Sequence, residues 1–269
     1  MTPDNSRIEL PLSQDGQTVH EVIQSAAREA GHILESGRHE TLQIAEKKPA
    51  NYVTNLDHAS EARLKELLAS AYPDFGFLGE ESGETESASE WQWIVDPLDG
   101  TRNLIRGIPM WCVSVGLTRN GHPAAGAIYD PAHDELFVTT DDGSPTLNDQ
   151  PIASATATRL EDCVIGIDFG KSSGKYQETH EIIGKLMPQF QSIRMLGSIA
   201  LGLAYVASAR LDIYFNLKSS PWDIAAGTAL ARQSGAKVAN LDGAETPMPT
   251  NGLIAANPKI VAQFVEAIR

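Results

Sequence analysis

The chain has 269 residues, 42% hydrophobic and 21% charged, which fits a soluble globular protein with a sizeable core in one large domain or two joined lobes. Its formal charge of −14, from 35 acidic against 21 basic residues, argues against a nucleic-acid-binding surface. No apolar run reaches the roughly 20 residues of a membrane helix, and Met1 to Gly16 lacks a signal-peptide pattern, so a cytoplasmic protein without a membrane partner is expected.

Apolar spacing predicts an amphipathic helix over Thr18 to Ser36, then short strands at Leu42 to Ala45 and Tyr52 to Thr54. A second helix is expected from about Asp57 to Ser70, and a strand over Gly76 to Leu78. Ser82 to Glu90 is acidic, polar and without periodicity, so it reads as a loop. Strands then dominate: Trp91 to Val95, Trp111 to Leu117, Ala124 to Tyr129, Glu135 to Thr139 and Cys163 to Ile167, with turns at Asn120-Gly121 and Asp142-Gly143.

The last third alternates. Helices are predicted over Glu178 to Met187, Ser198 to Ser208, Pro221 to Ser234 and Lys259 to Ile268; strands fall near Ser192 to Met195, Asp212 to Phe215 and Leu253 to Ala255. Blocks of this kind imply a layered α+β architecture, taken here as a single domain over 1–269 with two closely packed lobes meeting near residues 145–160. Cys112 and Cys163 lie in apolar, strand-like runs; two buried thiols are expected, and a disulfide remains open.

The strongest chemical signal is Trp93-Ile94-Val95-Asp96-Pro97-Leu98-Asp99-Gly100-Thr101. An apolar strand ends in two aspartates, where buried charge is costly unless something compensates it. Oxygen-only donors suit Mg²⁺ or Mn²⁺ better than zinc. Gly100 and Thr101 follow where backbone N–H groups could seat a phosphate. An Asx-rich turn is the bland alternative. Gly79-Glu80-Glu81-Ser82 reads either as a solvated loop or as a further carboxylate source. Asp223, in Ser220-Pro221-Trp222-Asp223, is either a helix cap or another ligand.

Together with Trp222-Asp223-Ile224-Ala225-Ala226-Gly227, these segments resemble the inositol monophosphatase family. Lys48 to Asp57, Gly126 to Phe137 and Leu196 to Ala204 extend the resemblance over nearly all of residues 18–269. It implies an α-β-α-β-α sandwich, commonly dimeric, and a phosphatase of small phosphorylated metabolites. Glu80, Asp96, the Leu98 carbonyl, Asp99 and Asp223 match the family's metal ligands. Gly100 and Thr101 match its phosphate seat, and Asp57 with Thr101 the pair that orients the attacking water. Gly197, Ser198 and Ala200 fall in its substrate-hydroxyl region. Glu80, Asp96, Asp99 and Asp223 bring four negative charges, which two divalent cations balance, and a third metal arriving with substrate is electrostatically sensible.

Departures concern the alcohol. Asn216 stands where inositol-specific relatives tend to carry a glutamate, and is read as a substrate-rim residue. Ile105 to Trp111 is closer to the histidinol-phosphatase-like branch, which makes that substrate the first alternative to inositol 1-phosphate. Asp96 and Asp99 lie three apart, against the two-residue spacing of an aspartyl nucleophile, and neither G-x-S-x-G nor a P-loop lysine motif is present. The seven histidines form no metal-spaced pair. The remaining alternative is a regulatory or ribosome-associated family member.

Overall fold

The computed structural model describes residues 9–49, 51–169 and 173–269. Residues 1–8 of the polar N-terminal stretch and residue 50 of the Lys48 to Asp57 element lie outside the described residues. The first half runs α1 (Val19–Gly37), β1 (Ile44–Lys48), β2 (Asn51–Thr54), α2 (Asn55–Ala71), β3 (Gly76–Gly79), β4 (Gly83–Thr85), β5 (Trp91–Asp99), α3 (Thr101–Ile105), β6 (Cys112–Arg119), β7 (His122–Asp130), β8 (Glu135–Val138), β9 (Thr146–Leu147) and β10 (Gln150–Pro151). The second half runs β11 (Val164–Asp168), α4 (Ser173–Leu186), β12 (Ser192–Met195), α5 (Ile199–Ala207), β13 (Ile213–Asn216), α6 (Pro221–Gln233), β14 (Lys237–Ala239), β15 (Leu253–Ala256) and α7 (Pro258–Ile268).

These elements stack in five layers. α1 and α2 cover one face of an eight-stranded sheet, ordered β10-β9-β8-β7-β6-β5-β3-β4, through Ile23, Leu34, Leu64, Leu68, Trp93 and Val115. α5 and α6 cover its other face, where Ile128, Phe137, Leu201, Ala204, Ala226 and Leu230 meet. The same two helices reach a five-stranded sheet, ordered β12-β11-β13-β15-β14, through Leu203, Val206, Tyr214, Ile224 and Val238. α4 and α7 close the far side with Ile182, Leu186, Ile260 and Phe264. This is the expected α+β sandwich. Because helices cover both faces of the central strands, β5 and β6 are buried almost throughout and show no in–out alternation.

Local chemistry sets the ends that matter. α1 opens on a reciprocal cap: the Glu21 N–H donates to Thr18 Oγ1 at 3.2 Å and the Thr18 N–H to Glu21 Oε2 at 2.8 Å. α2 repeats the device with Thr54 and Asp57, the Thr54 N–H donating to Asp57 Oδ2 at 2.8 Å. Where α6 crosses the sheet, Gly116 and Gly126 face each other across β6 and β7, and a Cβ on Gly126 would lie 2.6 Å from the Ala226 backbone. Glycine is therefore what lets α6 lie on the sheet.

Several boundaries differ from the sequence reading. β5 does not stop at Val95 but continues to Asp99 through a register shift between Asp96 and Asp99, where Pro97 needs no ladder partner. Gly83 to Thr85, read as loop, pairs with β3 as an edge strand. α4 starts at Ser173 rather than near Glu178, and the short elements α3, β9, β10 and β14 had no periodicity to announce them. Cys112 and Cys163 are buried free thiols, as expected.

Candidate active site

The site grows from the end of β5. Within the bulge, the Leu98 N–H donates to Asp96 Oδ1 at 3.0 Å, and the Ser60 hydroxyl of α2 donates to the Pro97 carbonyl at 3.0 Å. Gly100 then turns the chain at φ 96°, a conformation that favours glycine, and a Cβ there would lie 2.8 Å from the Met110 carbonyl oxygen. α3 starts at the next residue. The Thr101 hydroxyl lies 3.1 Å from the Leu98 carbonyl oxygen and 3.3 Å from Asp57 Oδ1. Since Asp57 Oδ2 is committed to capping α2, Oδ1 is the atom aimed at Thr101. Burial pushes the Asp57 pKa up, against the hydrogen bonds from Thr54, so this carboxylate takes up a proton more readily than an ordinary aspartate.

Parallel register brings in the second segment. Gly79 of β3 pairs with Val95 of β5, so Glu80, the next residue, emerges beside Asp96. α6 supplies the third group: Asp223 lies in its first turn, where Asp223 Oδ2 accepts the Ser220 N–H at 2.6 Å. One carboxylate oxygen each from Glu80, Asp96 and Asp223 lie within 4.8 Å of one another. Asp96 is only 1% exposed. Three carboxylates so close and so shielded repel one another strongly unless a cation joins them. The donors are all hard oxygens, so the set fits Mg²⁺ or Mn²⁺.

Asp99 stands apart from that triad. Its Oδ2 accepts the Ser198 hydroxyl at 2.7 Å and the Ala200 N–H at 2.7 Å, so it sits against the N-terminal turn of α5. Ser198 and Ala200, expected to meet a substrate hydroxyl, are instead buried and occupied with Asp99. Gly197 alone of that trio is exposed.

Asn216 requires a correction as well. It is 1% exposed, its side-chain amide donates to the Asp168 carbonyl at 3.1 Å, and its side-chain oxygen accepts the Lys218 N–H at 2.8 Å. Both polar ends contact backbone at the end of β13, the central strand of its sheet, so Asn216 braces that strand end and presents no exposed group to a rim.

Three further residues escaped the sequence reading. Lys47, one position before the Lys48 to Asp57 element, contacts Glu80 at 3.2 Å and Glu81 at 2.6 Å. Burial works against its charge, but Glu81 and Glu80 overcome that and hold its pKa up. Asp168, at the end of β11, accepts the Gly197 N–H at 2.6 Å and the buried Tyr214 hydroxyl at 2.8 Å; burial raises its pKa to about 7. Asn103 donates to the carbonyls of Met110 and Leu196 at 2.6 and 2.8 Å, pinning α3 to the loop before α5. An acid following an apolar strand run, as at Asp96, was the available signal for Asp168; Asn103 closes the Asp96 to Asn103 motif without a role attached to it, and Lys47 offered nothing beyond proximity to a motif.

A family model described as the inositol monophosphatase family matches residues 15–269. The chain is 38% identical over 252 residues to an inositol-1-monophosphatase of Mesorhizobium japonicum, covering 92% of this chain and 95% of the relative. It is 35% identical over 249 residues to the Nus factor SuhB of Escherichia coli, covering 91% and 93%. Among solved structures, the extragenic suppressor protein suhB of Bartonella henselae superposes with a TM-score of 0.89 at 36% identity, over 93% of this chain and 98% of that one. An inositol monophosphatase from Anabaena gives 0.83 at 33% identity, over 93% and 94%.

Proposed function

The chain belongs to the inositol monophosphatase family, and we propose that it is a Mg²⁺-dependent phosphomonoesterase releasing phosphate from a small phosphorylated alcohol, with inositol 1-phosphate as the foremost substrate. The observation that carries this reading is the convergence of Glu80, Asp96 and Asp223 oxygens within 4.8 Å beside the Asp57–Thr101 pair. Under the proposal, Asp99 and the Leu98 carbonyl complete the donor set for two to three ions, and Mn²⁺ substitutes for Mg²⁺. Bound there, the metal supplies charge neutralisation for the phosphate and a more acidic attacking water.

The chain's own residues supply the rest. The Thr101 hydroxyl, with Leu98 O and Asp57 Oδ1 as its neighbouring acceptors, orients the water by its free lone pair. Asp57 Oδ1 receives the proton, a task its burial favours. Gly100 and Thr101 receive the phosphate, and the exposed Gly197 borders the alcohol. With Asn216 buried, discrimination among alcohols falls to exposed groups around Gly197 and Arg102. We take the acting form to be a cytoplasmic homodimer; among the described residues no helix is long and apolar enough to cross a membrane.

The test is phosphate release from a panel of monoesters, including inositol 1-phosphate and histidinol phosphate, with Mg²⁺ and after exhaustive chelation. Mg²⁺-dependent release is expected, fastest for inositol 1-phosphate. Undiminished release in chelator, or none from any monoester with Mg²⁺, would overturn the proposal. A regulatory reading is favoured by one observation, the 35% identity to proteins named Nus factor SuhB. Capture of a defined macromolecular partner by an Asp96→Asn variant, alongside inactivity of the wild type, would replace the enzymatic reading with that one.

A further inference from the structure

Glu61 has no assigned part in the site, yet it is a carboxylate only 3% exposed. Among the described residues no lysine, arginine or histidine pairs with it. Its two oxygens are instead taken by successive backbone amides: Oε2 accepts the Glu81 N–H at 2.9 Å and Oε1 the Ser82 N–H at 2.6 Å. A buried charge compensated only by main chain is an expensive arrangement. Charge-assisted bonds from two consecutive N–H groups give it a geometric return, since only a carboxylate offers two acceptors in that spacing.

The neighbouring sequence is cut to fit. Gly79 closes β3 directly before Glu80, and a Cβ there would overlap the Glu61 carboxylate, 2.6 Å from its Cδ. Gly79 does not have a positive φ, so its backbone would accept alanine; the space taken by Glu61 is what requires glycine. The Gly79-Glu80-Glu81-Ser82 turn is thus gripped through its backbone amides by Glu61, while Lys47 contacts its two acidic side chains.

Glu61 also belongs to a set. Asp57, Ser60 and Glu61 stand at i, i+3 and i+4 of α2, hence on one helix face. Asp57 reaches Thr101, Ser60 holds the Pro97 carbonyl, and Glu61 holds the amides after Glu80. We propose that Glu61 is a positioning residue for the metal centre, fixing the turn that aims Glu80 at Asp96 and Asp223, with one face of α2 aligning both acid-bearing segments. The inference rests on the metal-dependent reaction proposed above.

The experiment is a Mn²⁺ titration of the full chain followed by electron paramagnetic resonance, with thermal melts of the metal-free protein, for wild type, Glu61→Gln and Gly79→Ala. Glutamine keeps the volume but turns a donor toward one of the two N–H groups; Gly79→Ala displaces the carboxylate while leaving its charge in place. Mn²⁺ affinity is expected to fall about 10-fold or more in both variants. In turnover, the Mg²⁺ concentration for half-maximal rate should rise by the same factor, with kcat at saturating Mg²⁺ within about twofold of wild type. Lower melting points with unchanged Mn²⁺ affinity would overturn the proposal and leave Glu61 a purely structural acid. If Glu61→Gln does not fold, Gly79→Ala decides by the same criterion. A wild type that binds no Mn²⁺ fails the metal-dependent reading itself, a result distinct from variants that bind as well as wild type.

Discussion

Gly126→Ala tests whether the seating of α6 on the sheet sets the geometry of Asp223. The added Cβ would meet the Cα and carbonyl oxygen of Ala226 at 2.6 Å, and these are backbone atoms with no rotamer to yield. Carbon atoms settle at about 3.5–4.0 Å, so α6 or β7 must retreat by roughly 1 Å. Overpacking of this kind costs about 1–3 kcal/mol. For a chain of this size that lowers the melting temperature by about 2–12 °C. Asp223 rides in the first turn of the displaced helix, and a 1 Å error at a reacting centre costs about 100-fold in rate. The assay pairs thermal melts with phosphate release over a Mg²⁺ titration. A melting point within about 1 °C of wild type would refute the packing argument. A clear drop in melting point with full activity and an unchanged Mg²⁺ requirement would refute the claim that this contact positions Asp223.

Gly184→Ala is the opposite case: the position is exposed, lies inside α4 and has nothing within 4 Å of an added Cβ, so melts should show stabilisation of about 0.5–1 kcal/mol. Asp99→Asn, isosteric but uncharged, should cost several orders of magnitude in phosphate release while circular dichroism stays native, because the amide oxygen in the place of Oδ2 still accepts from both the Ser198 hydroxyl and the Ala200 N–H. Asp168 has a folded pKa raised to about 7 from 3.8, so its contribution to stability is complete below about pH 4 and is lost as pH rises through about 7. In chelator, wild type should therefore lose stability relative to Asp168→Asn between about pH 4 and 7 and run parallel to it above that; parallel melting curves between about pH 4 and 7 would contradict the assignment.

What the sequence disclosed follows the range of the interactions. The strand Ser192 to Met195 and the helix start at Pro221 were legible because polar–apolar alternation, Pro at the first helical position and a preceding serine are local signals. Pro97 misled because proline usually ends a strand, whereas a bulge absorbs it here. The acid-bearing segments were legible as motifs. Their assembly depends on parallel register between β3 and β5 and on α6 lying over two glycines, neither of which a single sequence displays. The misplacement of Asn216 has the same root. The position reads as a rim residue because relatives tend to carry a glutamate there, and only the pairing of β13 with β11 reveals that its amide is spent on the Asp168 carbonyl. Asp99 is held by residues 99 and 101 positions away, beyond the reach of any pattern.

The middle layer of the sandwich has a consequence for the chain as a physical thread. α6 is buried over the nine consecutive residues from Asp223 to Ala231, and α5 is nearly as enclosed, because each faces a sheet on both sides. These helices come late in the chain, yet the eight-stranded sheet that covers one side of them is complete by Pro151. A protease nick in segment 152–159 would leave two fragments clasped together, still carrying the Glu80, Asp96 and Asp223 oxygens that one fragment alone cannot assemble. Either fragment synthesised by itself would bare a broad apolar face and aggregate. Translation must therefore hold the first sheet half-covered until the ribosome has released α6, so this protein's exposure to misfolding is greatest while it is still being made.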